Sequence, residues 1–503
     1  MEHHQHEVSH IAETVRGFHE RGEKFRIFHG STNSTRKSAL GRDPKKVVDT
    51  SRLSNVLHVD VEKQIALVEP NVPMDRLVEA TLEHGLIPPV VMEFPGITAG
   101  GGYSGTSGES SSYKHGFFDQ TLNQVEMVLA NGDIINCSEG ENADLFRGAA
   151  GAVGTFGVTT LLEIKLQKAH RFVETTYHPV TSMDEAIAKT KAFTQPGSGY
   201  DYVDGIMYSQ TLGAIITGKL VDDTKGLPIQ RFSSAKDPWF YIHVQDRITK
   251  QTESILEAIP LPEYLFRYDR GGFWVAMAAF EYFGTPFNTF TRWFLDDFLH
   301  TRMLYKALHG SGQTERMFVQ DLALPYETAK EFVEYTDERL GIWPLWLCPL
   351  KQSPRPTMHP HPVGKYASGG DGEEMLNIGL WGLGPPSREA FIQANRDIEH
   401  KLLKLGGMKW LYAQTYYDEE DFWGQFDKRW YQALRKKFYA TGLPDVYEKV
   451  RAERGNATVT PTWSQWLFGV WPFSGLYGLK KAIDSRDYVA ARKSKWKDWV
   501  PRS

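Results

Sequence analysis

A glycine-rich stretch, ITAGGGYSGTSGESSSYKHG at 97–116, places the strongest constraint on the fold of this protein. It contains the spacing G-x-G-x-x-G at Gly100, Gly102 and Gly105. A dinucleotide-binding turn of the Rossmann type needs a strand directly before the first glycine and a helix opening after it. The preceding PPVVMEFPGITA has prolines and a glycine where that strand should run, and the following TSGESSSYKHGFFD predicts a polar loop. We therefore expect a backbone that wraps around an extended ligand and donates N–H groups to phosphates.

Two further loops complete the pattern. RIFHGSTNSTR, at 26–36, predicts a strand followed by small hydroxyl residues, and FRGAAGAVGTFGVTTLLEIKL, at 146–166, carries several glycines before a strand. Between them, VEPNVPMDRLVEATLEHGL predicts a helix that closes at Gly85, and the Asn131-Gly132 pair in VLANGDII predicts a hairpin with a type I′ turn. A single loop of this kind is weak evidence for a ligand, but three in this order are far more specific.

The sequence has 503 residues, which is too long for one typical core, so we expect two domains. The sequence pattern of residues 1–170 predicts short strands and helices. The first of these elements is an amphipathic helix over residues 8–22. From about 171 to 400 the sequence is rich in Trp, Phe and Tyr, as in GGFWVAMAAFEYFGTPFNTFTRWFLDDF. Two interpretations of these aromatics stay open: ordinary core packing, or a groove for a large apolar ligand.

Charge and cysteine content exclude several classes of protein. The formal net charge is -5, so the bulk electrostatics give no indication of nucleic-acid binding. The two cysteines, Cys137 and Cys348, suit a reducing compartment, and Cys348 in WLCPL predicts a buried apolar thiol. The N-terminal MEHHQHEVSHIAETVRGFHE has no apolar segment of the kind found in secretory signals. We therefore expect a protein that is not secreted.

The remaining motifs predict no metal site. The HPH motif at 359–361 has no carboxylate or cysteine spaced to complete a metal centre, so we expect two solvated histidines in a loop. In YYDEEDF, Asp418 is placed to cap a helix. The aromatic and basic tail, 461–503, is too interrupted for a membrane-spanning helix. For that tail, a segment lying in a membrane interface and a segment packed on the protein body remain equally open.

The ordered set of loops resembles the FAD-binding domain of the vanillyl-alcohol-oxidase superfamily. Within it, the glycine stretch and the segments GIMYS, VQDLALPYE, PLWLCPL and LYAQTYYDEEDFW are similar to those of the Δ24-sterol reductases, over roughly residues 8–450. The resemblance implies a two-domain α+β flavoprotein. A PCMH-type FAD-binding domain would span 1–170 and an α+β substrate cap domain 171–400, while 401–460 would return toward the flavin domain.

The same resemblance implies which residues meet FAD. The first loop would hold the pyrophosphate, through His29, Gly30, Ser31, Thr32, Asn33 and Ser34. The second would line pyrophosphate, ribose and isoalloxazine, through Thr98, Gly100, Gly101, Gly102, Tyr103, Ser104, Gly105, Thr106, Gly108, Glu109 and Ser110. The third would meet the adenine side or the ring edge, through Gly154, Gly157 and Val158. Because His29 begins the first loop, whereas histidines that bind flavin covalently come near its end, we expect non-covalent FAD.

For function, the resemblance implies that NADPH reduces a C=C bond in the aliphatic tail of a sterol or related terpenoid. Tyr416 is the first candidate for the proton donor and Tyr412 the second, while Arg267 is a candidate to orient the donor or NADPH. The partner would be a hydrophobic small molecule, with the protein in the cytoplasm or on the cytoplasmic face of an intracellular membrane. Two alternatives remain open: an O2-using flavin oxidase of a secondary-metabolism alcohol or phenol, and a non-catalytic sterol-binding flavoprotein.

Overall fold

The computed structural model describes residues 1–30, 46–106, 108–250, 252–311, 316–367, 374–452, 473–484 and 487–499. Helices accompany two separate, largely antiparallel sheets, which confirms the predicted α+β class. Within the described ranges, no helix combines the length and apolar character needed to cross a bilayer.

The first part of the protein builds a five-stranded antiparallel sheet with two short strand pairs beside it. Its strands are β1 (Arg26–Phe28), β2 (Val47–Asp49), β3 (Val56–Asp60), β4 (Ile65–Val68), β5 (Leu86–Ile87), β6 (Leu122–Leu129), β7 (Ile134–Ser138), β8 (Gly157–Lys165) and β9 (Gln167–Lys168). Its helices are α1 (Glu2–Glu20), α2 (Met74–Leu82), α3 (Ala99–Gly105), α4 (Ser112–His115) and α5 (Ala143–Ala149). The order in the sheet is β3-β4-β8-β6-β7, while β1 pairs with β2 and β5 with β9.

The amphipathic helix predicted over residues 8–22 is confirmed, although it begins earlier, at Glu2. Its apolar side chains, including Val8, Ile11 and Val15, are buried against the first sheet. Polar contacts of His4 hold the additional first turn of this helix on the protein body. His4 is buried, and its ring nitrogens lie 2.9 Å from Glu69 Oε1 and 3.3 Å from Glu126 Oε1.

The hairpin between β6 and β7 is confirmed, but its turn is not type I′. Gly132 has φ +87°, whereas Asn131 is not among the residues with positive φ, and a type I′ turn needs positive φ at both central positions. The N–H of Gly132 donates to the Leu129 carbonyl at 2.9 Å, and that of Leu129 donates to the Asp133 carbonyl at 2.8 Å. The connection is therefore a three-residue loop that ends in a left-handed glycine.

The middle of the protein forms an eight-stranded antiparallel sheet. Its strands are β10 (Phe172–Val180), β11 (Tyr202–Ser209), β12 (Leu212–Val221), β13 (Ile255–Pro260), β14 (Met317–Pro325), β15 (Leu345–Leu350), β16 (Met375–Leu383) and β17 (Met408–Lys409), in the order β13-β10-β12-β11-β15-β16-β14-β17. The helices here are α6 (Met183–Thr194), α7 (Phe240–Lys250), α8 (Leu261–Leu265), α9 (Ala276–Tyr282), α10 (Thr289–Phe294), α11 (Thr301–Ser311), α12 (Tyr326–Leu340) and α13 (Arg388–Lys404).

The two faces of this sheet have different neighbours, because successive strand residues point to opposite sides. Val203, Leu345 and Leu322 point toward α6, α12 and α13 and form one core with them; we call this side the helical face. Trp346 and its neighbours on the other side belong to the same core as the first sheet. We call that side the inner face, and it contains the polar residues described below.

The aromatic residues of the middle segment have two different environments. Many pack on one another, with ring centroids of Tyr268 and Phe273 at 3.9 Å and of Phe273 and Trp381 at 4.4 Å. Others are exposed on the surface, notably Phe290 and Phe294 in α10. Core packing therefore accounts for many of the aromatics, but not for those in α10.

After β17 the backbone returns to the first sheet through α14 (Glu419–Trp423), α15 (Lys428–Lys437) and α16 (Val446–Val450). Asp418 caps α14 as predicted, accepting the N–H of Asp421 at 2.9 Å. Arg435 in α15 donates to the carbonyl of Thr155 at 2.9 Å. Lys449 in α16 donates to the carbonyls of Val153 and Gly154 at 2.8 and 3.1 Å.

The described part of the tail packs on the protein body. It contains α17 (Phe473–Asp484), which contacts α11, and α18 (Asp487–Arg492), followed by a short 3₁₀ turn at Lys495–Asp498. Trp496 is buried, and its ring centroid lies 5.1 Å from that of Phe266. Residues 453–472, which hold much of the aromatic content for which a membrane interface and packing on the body were equally open, are outside the described residues.

Candidate functional site

The glycine stretch forms α3, a seven-residue helix, rather than the loop that the sequence predicted. Thr98 caps it by accepting the N–H of Gly101 at 3.2 Å. A side chain at Gly102 would come within 2.6 Å of Met92 and of Phe118, so this glycine is needed for close packing. Apart from the neighbouring residues of α3 itself, no atom of the described residues lies within 4 Å of the corresponding position at Gly105. One side of α3 is thus packed on the core, while no other described residue packs against its C-terminal end at Gly105.

The third predicted loop lies directly beside α3. The N–H of Gly151 donates to the Tyr103 carbonyl at 3.0 Å, and that of Val153 donates to the Ser104 carbonyl at 2.7 Å. Gly154 has φ +66°, a conformation that suits glycine. The structure thus brings two of the three predicted loops together.

Gly157 and Val158 occupy a different position from the rest of the third loop. Both belong to β8, where Val158 is buried, and a side chain at Gly157 would come within 2.5 Å of the Val128 carbonyl oxygen. Their environment within the first sheet accounts for the small residue at 157. A contact of these two residues with the flavin stays a prediction.

The strand β1, which leads into the first predicted loop, lies beside Gly154 of the third loop. A side chain at Gly154 would lie 3.4 Å from Ile27 Cδ1 in β1. His29 is half-buried and Gly30 has φ +77°. The rest of this predicted group, Ser31, Thr32, Asn33 and Ser34, lies outside the described residues.

Beyond α3 the backbone runs between the two sheets. Thr106 has φ +54° and ψ 150°, which is unusual for a residue other than glycine. A side chain at Gly108 would come within 2.5 Å of Leu350 and 3.3 Å of Trp410. The Ser110 carbonyl accepts the N–H of Val203 at 2.8 Å. Residues 108–110 therefore contact the inner face of the eight-stranded sheet.

Four buried titratable residues meet at this contact: Arg267, Asp204, Glu93 and Glu109. Arg267 donates to Asp204 Oδ2 at 2.8 Å and to Glu93 Oε1 at 3.1 Å. Burial raises the pKa of Glu93 to about 8, even though Arg267 opposes the shift. Burial also raises the pKa of Glu109 well above its usual value, and the neighbouring Glu93 raises it further. The site therefore retains protons on carboxyl groups that an exposed position would ionise.

A second cluster of polar side chains on the inner face surrounds Asp321 in β14. The Tyr412 hydroxyl donates to Asp321 Oδ2 at 2.6 Å, and Asn377 Nδ2 donates to Oδ1 at 2.9 Å. Trp410 Nε1 donates to the Asn377 side-chain oxygen at 2.8 Å and so holds that amide in place. Burial raises the pKa of Asp321 to about 6, while the hydrogen bonds from Tyr412 and Asn377 oppose the shift.

The structure separates the two tyrosines predicted as proton donors. Tyr412 packs with the core shared by the first sheet and the inner face. Tyr416 packs with the core of the helical face, where its ring centroid lies 6.5 Å from that of Phe391 in α13. Its backbone N–H donates to the Glu399 carboxylate at 2.9 Å. This position does not favour Tyr416 as the donor, and Tyr412 becomes the first candidate.

The prediction that both histidines of the HPH motif are solvated is wrong for His359. It is only 2% exposed, its ring lies 4.9 Å from that of Phe117, and its Nε2 is 3.2 Å from Asp119 Oδ1. A side chain at Gly151 would lie 3.3 Å from its Cδ2, which places His359 beside α3 and the third loop. Among the described residues, no group of three or more metal-ligating side chains forms a metal site.

Sequence reasoning missed several residues of this region. They are Glu93, Asp204, Asp321, His359 and Asn377. Three of them carried a detectable signal, because Asp204, Asp321 and Asn377 are polar residues within the apolar strands YVDGIMYS, MFVQDLALP and MLNIGLWGL. A buried polar residue is more informative than an exposed apolar one. Glu93 and His359 lie in irregular segments, where periodicity gives no indication of burial.

Comparisons with known proteins agree with this arrangement. A family profile described as FAD binding domain matches residues 5–138. The protein is 29% identical over 459 residues to the Delta(24)-sterol reductase of Homo sapiens, covering 89% of this sequence and 86% of the relative. It is 30% identical over 436 residues to the Delta(24)-sterol reductase of Arabidopsis thaliana, covering 81% and 77%. A homologue from Caenorhabditis elegans is 24% identical over 468 residues, covering 89% and 87%.

The geometry of the site fits FAD. Backbone segments around Ile27, α3 and Gly151–Gly154 converge. Gly105 leaves open space beside them, in keeping with a cofactor that approaches the backbone closely. From the site and these relatives together we conclude that the protein belongs to the Delta(24)-sterol reductase family and is an FAD-dependent oxidoreductase.

Proposed function

We propose that this enzyme reduces a C=C bond in the aliphatic tail of a sterol or related terpenoid, with NADPH as the electron donor. The relatives whose names specify a sterol reductase support the substrate class. The observation that carries the proposal is the half-buried Tyr412–Asp321 pair on the inner face, close to the glycine segment. Bound FAD supplies the hydride chemistry; the protein supplies orientation and a proton.

The chemistry of an isolated alkene explains why an acid is needed. No carbonyl group stabilises the negative charge that addition of hydride alone would leave. Proton delivery to the less substituted carbon must therefore lead or accompany hydride transfer, and positive charge develops on the tertiary carbon. This requires a positioned acid in a water-poor site, with aromatic faces that stabilise a cation.

Tyr412 and Asp321 meet the first requirement. The Tyr412 hydroxyl oxygen would hold the transferable proton, because its hydrogen bond to Asp321 fixes the hydroxyl on the inner face. In the reactive state Asp321 would be protonated and would donate its O–H to the Tyr412 oxygen, which turns the Tyr412 proton toward the alkene. As that proton passes to carbon, the Asp321 proton would replace it on the tyrosine oxygen, and Asp321 would be left as a carboxylate. Its pKa, raised to about 6, lies close enough to neutrality for this exchange. Trp381 and Trp346, which lie on the same face and in the same core, would supply aromatic surface.

Arg267 has a different role from the one the sequence suggested. The guanidinium is buried and already ion-paired with Asp204 and Glu93. Binding the phosphates of NADPH would disrupt those pairs and leave buried carboxylates without their counter-charge. We therefore assign Arg267 as a positioning residue that holds Glu93 beside the glycine segment.

We retain the predicted domain roles as part of the proposal. Residues 1–170 would bind FAD, 171–400 would form the cap over the flavin ring, and 401–460 would complete the flavin domain. The contacts from Arg435 to Thr155 and from Lys449 to Val153 support the last assignment. The hydrogen bond between Val203 and Ser110 supports contact between the cap and the flavin segment.

Anaerobic spectroscopy tests the direction of the reaction. If the proposal is right, NADPH bleaches the flavin absorbance of the purified enzyme, and a sterol with a double bond in its aliphatic tail restores it with saturation of that bond. A substrate alcohol that bleaches the flavin, together with O2 consumption in air, would instead establish the oxidase alternative. A flavin that neither reductant bleaches would favour the sterol-binding alternative.

We also propose that FAD is bound non-covalently. The prediction is that acid or heat precipitation releases all of the yellow colour into the supernatant, because His29 begins its loop and lies next to β1. Flavin that remains with the precipitated polypeptide would show a covalent link. Mass spectrometry of a tryptic digest would then identify the modified residue.

A further inference from the structure

One surface segment exposes aromatic side chains that a folded protein normally buries. Phe290 is 66% exposed, Phe294 69% and Trp293 44%. Phe283 and Phe287, just before them, are also exposed. We call these five residues the aromatic ridge. Contiguous apolar surface of this kind marks an interaction site more often than a scatter of single exposed residues does.

The ridge is held in a fixed conformation. Asn288 and Thr291 form a reciprocal capping box at the start of α10. Phe287 packs against the buried Phe280, with ring centroids 5.1 Å apart, and against Trp239 at 5.7 Å. Fraying of the backbone therefore does not account for the exposure.

Basic residues of the described tail lie beside the ridge. Arg492 in α18 forms an ion pair with Asp297, three residues after the ridge ends. The tail ranges 473–484 and 487–499 contain six basic residues against three acidic ones, although the whole protein has a net charge of -5. Lys480, Lys481 and Lys493 are exposed. The described tail is therefore more positive than the protein as a whole, although Arg492 and Lys495 are paired with Asp297 and Glu83.

We propose that the aromatic ridge, with the adjacent basic tail, docks the protein onto the headgroup region of an anionic phospholipid bilayer. Trp and Phe side chains favour the zone between headgroups and acyl chains, while lysine and arginine are attracted to anionic lipids. A second copy of the protein is a poorer occupant. A twofold interface through the ridge would bring two like-charged tails close together.

This proposal is independent of the proposed reaction. Docking needs neither FAD reduction nor a sterol, so it has its own readout. The ridge is also distinct from the tail aromatics predicted from sequence, because it precedes them by more than a hundred residues and belongs to the middle segment.

Flotation of the full-length, FAD-loaded protein with phosphatidylcholine vesicles, with and without phosphatidylserine, tests the proposal. The ridge variant Phe290→Ser with Phe294→Ser should lose about tenfold in vesicle affinity, because two large apolar side chains no longer insert. The matched control, Ile134→Ser with Ile229→Ser, removes two exposed apolar side chains elsewhere and should bind like wild type. FAD content and melting temperature confirm that each variant is folded.

Two further measurements identify the mode of contact. Lys480→Gln with Lys481→Gln should weaken binding to vesicles that contain phosphatidylserine and leave the weaker binding to pure phosphatidylcholine unchanged. Lipids brominated near the headgroup should quench tryptophan fluorescence in wild type, with reduced quenching in Trp293→Ser. Equal flotation of wild type and the ridge variant would overturn the proposal. So would a ridge-dependent dimer without lipid binding.

Discussion

At the scale of single residues, buried titratable groups determine how this protein responds to substitution and to pH. Asp321, Glu93 and Glu109 all have raised pKa values because burial disfavours their charged forms. Each lies at the contact between the glycine segment and the inner face. Around His4, by contrast, hydrogen bonds and the opposite charge lower the pKa values of the Glu69 and Glu126 carboxyl groups, although burial opposes the shift.

The proposed proton donor can be tested by removing one hydroxyl group. Tyr412→Phe should keep FAD and its reduction by NADPH, but should lose at least about 100-fold in the rate of C=C saturation, because general acid catalysis contributes at least that much. Tyr416→Phe is the matched control and should stay close to wild type, since Tyr416 packs on the helical face. Single-turnover kinetics with a reduced enzyme separates the two steps. A normal saturation rate in Tyr412→Phe would show that another group donates the proton.

The raised pKa of His4 predicts that the folded protein loses stability at alkaline pH. Its pKa is raised from 6.5 to about 9, because hydrogen bonds and charges from Glu126 and Glu69 outweigh burial, which on its own lowers the pKa. A raised folded-state pKa gives stability that is fully present below pH 6.5 and is lost as the pH rises through 9. We expect a loss of about 3 kcal/mol in the free energy of unfolding across this range. His4→Gln should flatten the dependence of melting temperature on pH above neutrality.

At the scale of elements, α3 combines two demands on glycine. Gly102 lets the helix pack on Met92 and Phe118, whereas Gly105 leaves open space at the proposed cofactor position. The same sequence motif therefore contains glycines with different functions. Substitutions can separate them.

We predict that valine at position 102 impairs folding, whereas valine at position 105 impairs FAD binding. Gly102→Val should lower the melting temperature and the yield of folded protein, because a side chain there meets atoms at 2.6 Å. Gly105→Val should fold with a melting temperature close to that of the FAD-free wild type, yet retain little FAD. Flavin absorbance against protein concentration measures the stoichiometry. Full FAD occupancy in Gly105→Val would place the cofactor elsewhere.

Much of the element structure was predictable from the sequence, and the exceptions have physical causes. Apolar periodicity correctly predicted α1 and the β6–β7 hairpin. The helix α3 was missed because glycine has low intrinsic helix propensity. Here hydrogen bonds to neighbouring segments, rather than propensity, hold the helical conformation: Ala99 and Gly100 donate to the carbonyls of Val72 and Pro70, and the Tyr103 carbonyl accepts from Gly151. The buried carboxyl groups come from distant parts of the sequence, so only the tertiary fold brings them together.

At the scale of the whole molecule, the C-terminal tail joins separate parts of the fold. Ser494 lies 3.2 Å from Asp75, and the N–H of Lys495 donates to Glu79 at 2.5 Å, both in α2. The carbonyl of Lys497 accepts from Ser233 at 3.3 Å, in the segment between β12 and β13. The described end of the tail thus bridges the first sheet region and the middle segment.

Trp496 provides a test of this bridge. Trp496→Ala should cost about 3 kcal/mol in the free energy of unfolding, because it removes a buried side chain that packs on Phe266. Trp499→Ala, at a half-buried position three residues later, should cost clearly less. Denaturant unfolding followed by flavin release measures both. Equal and small effects would show that the tail contributes little to the stability of the body.

The hydrogen bond between Ser110 and Val203 has a consequence for biosynthesis. The Ser110 carbonyl gains its partner only when residue 203 has left the ribosome, and Gly108 meets Leu350 and Trp410 later still. We expect the nascent first sheet to carry an unfinished cofactor cleft throughout much of translation. Flavin loading would then be a late step, and a fragment ending near residue 170 would release flavin that the full-length protein keeps.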